Sequence, residues 1–130
     1  MTTVTLRDET PGGAPTEALT LDFLDERVTA RELIRARVYQ EVAEFNAAHS
    51  AVFRGLVQPR DSQRTRDGYA LRSRRALDWE EQFARALEAF ECNGFVLLVD
   101  DRQVLALDEE VELRHDSNVT FLRLMPLVGG

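Results

Sequence analysis

The sequence contains no lysine; all 16 of its basic residues are arginine. An amine-directed conjugating enzyme would find only the N-terminal α-amine on such a chain, so self-linked chains are not expected. Genomic base composition produces the same bias with no functional cause. A single cysteine, Cys92, excludes an intrachain disulfide. At the end of an amphipathic segment it reads as a small packing residue. The apolar run Phe95–Val99 is five residues long, against roughly 20 needed to cross a bilayer. The N-terminal residues include Asp8 and Glu9 and lack an apolar stretch, so no secretory signal is expected. These features predict a cytoplasmic protein with no membrane partner. His49 and His115 have no ligand-spaced partners, so no metal site is expected. P-loop, paired CxxC and nucleophile motifs are also missing, and the chain is expected not to be an enzyme.

At 130 residues and 44% hydrophobic composition, the chain is expected to form one domain, residues 1–130, with an ordinary core. The net charge of −7 argues against generic nucleic-acid binding. The charge is uneven. Residues 1–53 hold five Arg against nine Asp and Glu, a balance of −4, and residues 76–130 hold four against twelve, a balance of −8. Between them, residues 54–75 hold seven Arg and two Asp, a balance of +5. Arg54, Arg60, Arg64, Arg66, Arg72, Arg74 and Arg75 read either as a solvated loop or as a docking surface for an acidic partner. Tyr69 alone among them supplies an aromatic, too few for base stacking.

Val4 and Leu6 alternate with polar neighbours, as do Leu19, Leu21 and Phe23, which predicts two strands. The Pro- and Gly-rich residues 10–17 between them predict a hairpin loop. Thr29 and Glu32 form a capping box, and Leu33, Ile34, Val38, Val42 and Phe45 fall on one helical stripe. A helix over Ala30–Ala48 would be about 28 Å long. Residues 50–77 are expected to be an irregular segment with a mobile middle. Asp78 caps a second helix with the stripe Trp79, Phe83, Ala86, Leu87 and Phe90, and Gly94 is expected to take the left-handed position that ends it. Phe95–Val99 and Val104–Leu107 read as strands around an Asp100-Asp101 turn. Asp108-Glu109-Glu110 reads as a surface turn and Val111–Leu113 as a short extended piece. A second turn at 116–118 leads to a final strand, Val119–Leu124, apolar on both faces and therefore central.

The element order is strand, strand, helix, insertion with a helix, strand, strand, last strand. Leu122-Arg123-Leu124 followed by a Gly-Gly end is similar to the tail of ubiquitin. Pro126-Leu127-Val128-Gly129-Gly130 resembles the tail of the bacterial sulfur carriers of molybdopterin and thiamine synthesis. The chain thus resembles the ubiquitin-like β-grasp family over about residues 3–48 and 95–130. The resemblance implies an α+β fold: a mixed sheet with its first and last strands parallel in the middle, one long helix across it, and a helical insertion at 50–94. It further implies a tail, residues 125–130, that presents the Gly130 carboxylate.

In this family the carboxylate is adenylated by an E1-like enzyme that uses ATP; the chain itself binds no cofactor. Met125, Pro126, Leu127, Val128 and Gly129 would lie along that enzyme. Attack on the adenylate by an enzyme cysteine leads to transfer onto a target amine, with an E2-like enzyme and an isopeptidase as further partners. Attack by a persulfide gives a sulfur carrier. The tail sequence favours the carrier; the long insertion and the missing lysines favour the protein modifier, which is the expectation adopted. A β-grasp interaction module that is never activated is the remaining alternative.

Overall fold

The computed structural model describes residues 1–124. It is an α+β protein with two helices and a mixed five-stranded sheet among those residues. The chain forms two compact units, residues 1–33 with those from 89 onward, and residues 34–88.

The first unit is built on β1 (Thr2–Glu9), β2 (Thr16–Phe23), β3 (Arg27–Thr29), β7 (Phe95–Val99), β8 (Arg102–Val104), β9 (Glu110–Glu112) and β10 (Val119–Arg123). Its main sheet has the order β2-β1-β10-β7-β8. β1 and β10 pair in parallel, with Leu6 opposite Val119 and Asp8 opposite Phe121. The other pairings of this sheet are antiparallel. Period-two alternation places Val4, Leu6, Leu21, Phe23, Leu97, Val99, Val104, Val119 and Phe121 in the buried core. Phe95 stacks at a tilt between Phe90 and Phe121, with centroids 5.9 and 5.8 Å away. The β1–β2 hairpin forms as expected, although β2 starts earlier, at Thr16, and a register shift beside Leu6 accommodates an extra residue. Asp100 and Asp101 both take positive φ, 51° and 66°, which matches the twist of a two-residue hairpin. The following strand lies earlier than predicted: it runs Arg102–Val104 and shares only Val104 with the expected Val104–Leu107, and Leu105 is 74% exposed. The extended piece expected at Val111–Leu113 is a strand, Glu110–Glu112, which takes in Glu110 from the expected turn because it pairs with Arg27–Thr29 in a separate two-stranded ribbon.

That ribbon delivers the start of helix α1 (Ala30–Ala48), whose limits are those the sequence predicts. Thr29 Oγ1 accepts from the Glu32 N–H at 3.1 Å. The Ala30 and Arg31 N–H groups donate to the Glu109 and Leu107 carbonyls, so the orphan donors of the first turn are satisfied. All five residues of the predicted stripe are buried. His49 ends the helix at φ 53° and donates to the Phe45 carbonyl.

The second unit corrects the reading of residues 50–77. They hold a three-stranded antiparallel sheet, β4 (Val52–Phe53), β5 (Ser62–Thr65) and β6 (Gly68–Leu71), in the order β4-β6-β5. The strands are two and four residues long, and β5 is Ser-Gln-Arg-Thr, so no apolar alternation announces them. Gly68 is required: its φ is +151°, and a Cβ there would lie 2.6 Å from the Phe53 carbonyl oxygen.

Helix α2 (Trp79–Glu91) starts as expected, with Asp78 Oδ1 accepting from the Glu80 N–H at 3.0 Å. Its end differs. Asn93, not Gly94, takes the left-handed conformation at φ 59°, and Gly94 N–H donates to the Ala89 carbonyl at 2.7 Å. Ala86 and Phe90 of its predicted stripe are buried, but the stripe is turned toward Gln82. Gln82 is buried, donating to the Val57 carbonyl, while Trp79 and Phe83 are half-buried. Trp79 has Tyr39 edge-on at 5.4 Å, and Tyr39 is 48% exposed. Cys92 lies beyond the helix and is exposed, so it is not the packing residue expected. The last turn ends one residue before it.

An ion pair is buried in the second unit. Arg37 and Glu41, one helical turn apart, are 1% and 7% exposed, and their side chains are joined. The other Glu41 oxygen accepts from the Leu56 N–H at 2.9 Å. Gly55 makes room for this: a Cβ there would lie 2.5 Å from Glu41 Oε2 and 2.1 Å from the Phe53 ring. Removing one partner of such a pair strands a buried charge. Glu41→Ala is therefore expected to lower stability by about 3–5 kcal/mol in urea denaturation, and Arg37→Met with Glu41→Leu by less.

Candidate functional site

The resemblance to the β-grasp family places the expected site in the segment that follows β10, and the geometry of β10 sets where that segment begins. The strand is bonded on both sides, to β1 and to β7. Val119 and Phe121 anchor it in the core at 0% exposure. Its opposite face is half-buried rather than fully apolar and covered: Thr120 lies opposite Leu98, and Leu122 opposite Val96. Beyond the strand, the Leu124 N–H donates to the Gly94 carbonyl at 3.1 Å, and Leu124 is 37% exposed. The chain is thus held in place up to its last described residue. Met125, Pro126, Leu127, Val128, Gly129 and Gly130 lie outside the described residues.

The entry to β10 is also pinned. Asn118 N–H donates to Asp100 Oδ1 at 2.9 Å, the Asp100 N–H donates to the Asn118 carbonyl, and Arg7 donates to Asn118 Oδ1. A polar cleft of about 390 Å³ at this end is lined by Asp100, Glu112, Arg114 and Asp116. Arg114 pairs with Glu112 at 3.4 Å. Among the described residues, no group of three or more His, Cys, Asp or Glu is arranged to hold a metal ion.

The seven arginines of the basic segment separate into two sets. Arg60 bonds Glu81 at 2.8 Å and Asp61 at 3.4 Å, and Arg75 donates to the Arg60 carbonyl. These two brace the second unit. Arg54, Arg64, Arg66, Arg72 and Arg74 are exposed, with no ion-pair partner among the described residues. Arg64 sits on β5 opposite Tyr69, and Arg66 is in the β5–β6 turn. The Arg54 Cγ lies 3.2 Å from where a Gly68 Cβ would be, so Arg54 lies over the small sheet.

Sequence reasoning missed the buried Arg37–Glu41 pair and the Tyr39–Trp79–Phe83 aromatic group. The first had a signal: both charges sit within the apolar stripe of α1, where an unpaired charge is untenable.

No protein-family model matches the chain, and no curated protein or solved structure matches it either.

The attachment point has a direct check. Phe121→Ala removes a fully buried ring from the middle of the sheet and is expected to cost about 3–5 kcal/mol in urea denaturation. Amide exchange should accelerate in β7 and β1, the two strands that flank it.

Proposed function

We propose that the chain is a ubiquitin-like β-grasp protein whose Gly130 carboxylate is adenylated by an E1-like enzyme and then transferred to a target amine. The observation that carries this reading is the strand order β2-β1-β10-β7-β8 with β1 and β10 parallel at its centre. The ubiquitin-like family has that order, and here the central last strand leads into a Gly-Gly sequence.

The chemistry follows from the electrophile. A carboxylate is a poor acyl donor because its leaving group is an oxide. Attack by a Gly130 carboxylate oxygen on the α-phosphorus of ATP expels pyrophosphate and forms a mixed anhydride. An enzyme thiolate then attacks the acyl carbon and AMP departs, leaving a thioester. A target amine displaces the thiolate and forms an amide. Each reacting side chain belongs to a partner; this chain supplies the acyl group. Gly129 and Gly130 carry no Cβ to meet the walls of a narrow adenylating channel. Fixing the backbone there costs roughly 1–2 kcal/mol per residue, which contacts from Met125, Leu127 and Val128 would offset. The reaction belongs to the ATP-rich cytoplasm.

The Pro126–Gly130 sequence favours a second reading, in which the outer sulfur of a partner's persulfide attacks the adenylate, AMP departs, and a second thiol of that partner cleaves the resulting acyl disulfide, closing its own disulfide and releasing a C-terminal thiocarboxylate. The two differ in the product. Intact mass of the protein from its native host shows one oxygen replaced by sulfur for a carrier, and larger covalent adducts for a modifier. Deleting Gly129-Gly130 is expected to abolish the adducts while leaving amide exchange in the five-stranded sheet unchanged. Adducts that survive the deletion would overturn the proposal, and a deletion that leaves every activity untouched would instead leave an interaction module.

A further inference from the structure

The edge of the small sheet in the second unit has a readable polarity. The Arg72 N–H donates to the Asp61 carbonyl at 3.1 Å, which makes those two residues a bonded pair at the end of the β5–β6 ladder. Antiparallel ladders alternate, so Gln63–Ala70 and Thr65–Gly68 are the next bonded pairs. Ser62 and Arg64 then turn their N–H and C=O groups away from β6. The Ser62 carbonyl accepts from Gln58 Nε2 at 3.0 Å, as an outward-facing oxygen should. β5 is the last strand in the order β4-β6-β5, so the Arg64 N–H and C=O face an open edge.

Charged side chains on an edge usually serve to discourage pairing. These also choose between partners. Arg64 and Arg66 oppose a basic strand and complement an acidic one, and neither has an ion-pair partner among the described residues. A second copy pairing edge to edge would set arginine against arginine, which is unfavourable across strands. The surrounding segment carries +5 in a chain of −7.

We propose that the open edge of β5 receives an extended acidic segment of a partner protein as an added strand. The Arg64 backbone amide and carbonyl supply strand-type hydrogen bonds, and the guanidinium groups of Arg64 and Arg66 select carboxylates on the incoming segment. The site lies in the second unit and does not depend on what happens at Gly130. β5 is only four residues long, so charge carries much of the affinity and binding weakens with salt.

The test uses the full chain and a fluorescent peptide of alternating valine and glutamate, read by anisotropy with no activating enzyme present. Arg64→Ala removes the charge and keeps the N–H; Arg64→Pro removes both, at an outward position where an edge strand tolerates proline. Arg64→Pro is expected to bind roughly fivefold more weakly than Arg64→Ala, the loss of one hydrogen bond. Arg66→Glu is expected to weaken binding further, and amide exchange at 62–65 should slow when the peptide is added. Unchanged exchange in α2 shows that the variants are folded. A peptide N-methylated along its backbone gives the same readout without altering the protein, and it should not bind. Equal binding by that peptide, by a valine–lysine peptide, or by the two Arg64 variants would overturn the proposal. So would tighter binding of a single-stranded oligonucleotide, which would mark the arginines as a phosphate surface instead.

Discussion

The parallel contact between β1 and β10 is the constraint on which the five-stranded sheet depends. Parallel neighbours cannot be joined by a tight turn. Everything from Thr10 to Asn118 must therefore lie between the two strands in sequence while they lie side by side in space. The chain meets this with a hairpin at each edge of the sheet. The last strand is added between them, where Val119 and Phe121 close the core. Each of its sides is occupied, so its end has a fixed position and direction.

The second unit is held by different means. Its strands are too short to be stable by themselves, since isolated pairs of strands are marginal in water. A polar fixture supplements the apolar packing: Glu41, held by Arg37, accepts the Leu56 N–H, and Gly55 permits that close approach. Phe53 packs edge-on against Phe45 at 5.4 Å beside it, and Asn46 bonds both the N–H and the carbonyl of Leu77. Helix α1 thus gathers the loops that flank the small sheet through side chains of one helical face. Among the described residues, the same construction leaves the Arg64 N–H and C=O on the outer edge of β5 with no strand beside them.

Where local chemistry dictates structure, the sequence was readable. The capping box at Thr29 and the stripe from Leu33 to Phe45 placed α1 to the residue. Alternation placed β1 and β2, a continuous apolar run placed β7, and apolar residues on both faces placed β10, with small errors at the ends of β1, β2 and β10. What escaped reading was set by tertiary pairing. β3 is three residues long and exists because it pairs with β9, of which only the extended character was read. β5 has no apolar residue, and β4 is only two residues long. Asn93 took the left-handed turn expected of Gly94, since asparagine tolerates that conformation and Gly94 follows as the donor to Ala89. The charge imbalance at 54–75 was legible, while the tail expected to carry function lies outside the described residues. Which arginines are braced and which are free depends on Glu81 and Asp61, whose positions follow from the folded unit.

The central claim is that Gly130 becomes the acyl half of a new amide bond. Arg123 is the last basic residue, so trypsin cuts there and leaves residues 124–130 on whatever Gly130 is joined to. Tryptic digestion and mass spectrometry of total protein from the native host should find lysines branched with Leu-Met-Pro-Leu-Val-Gly-Gly. Recovery of that heptapeptide only with a free carboxylate or thiocarboxylate, and never on an amine, would contradict the account.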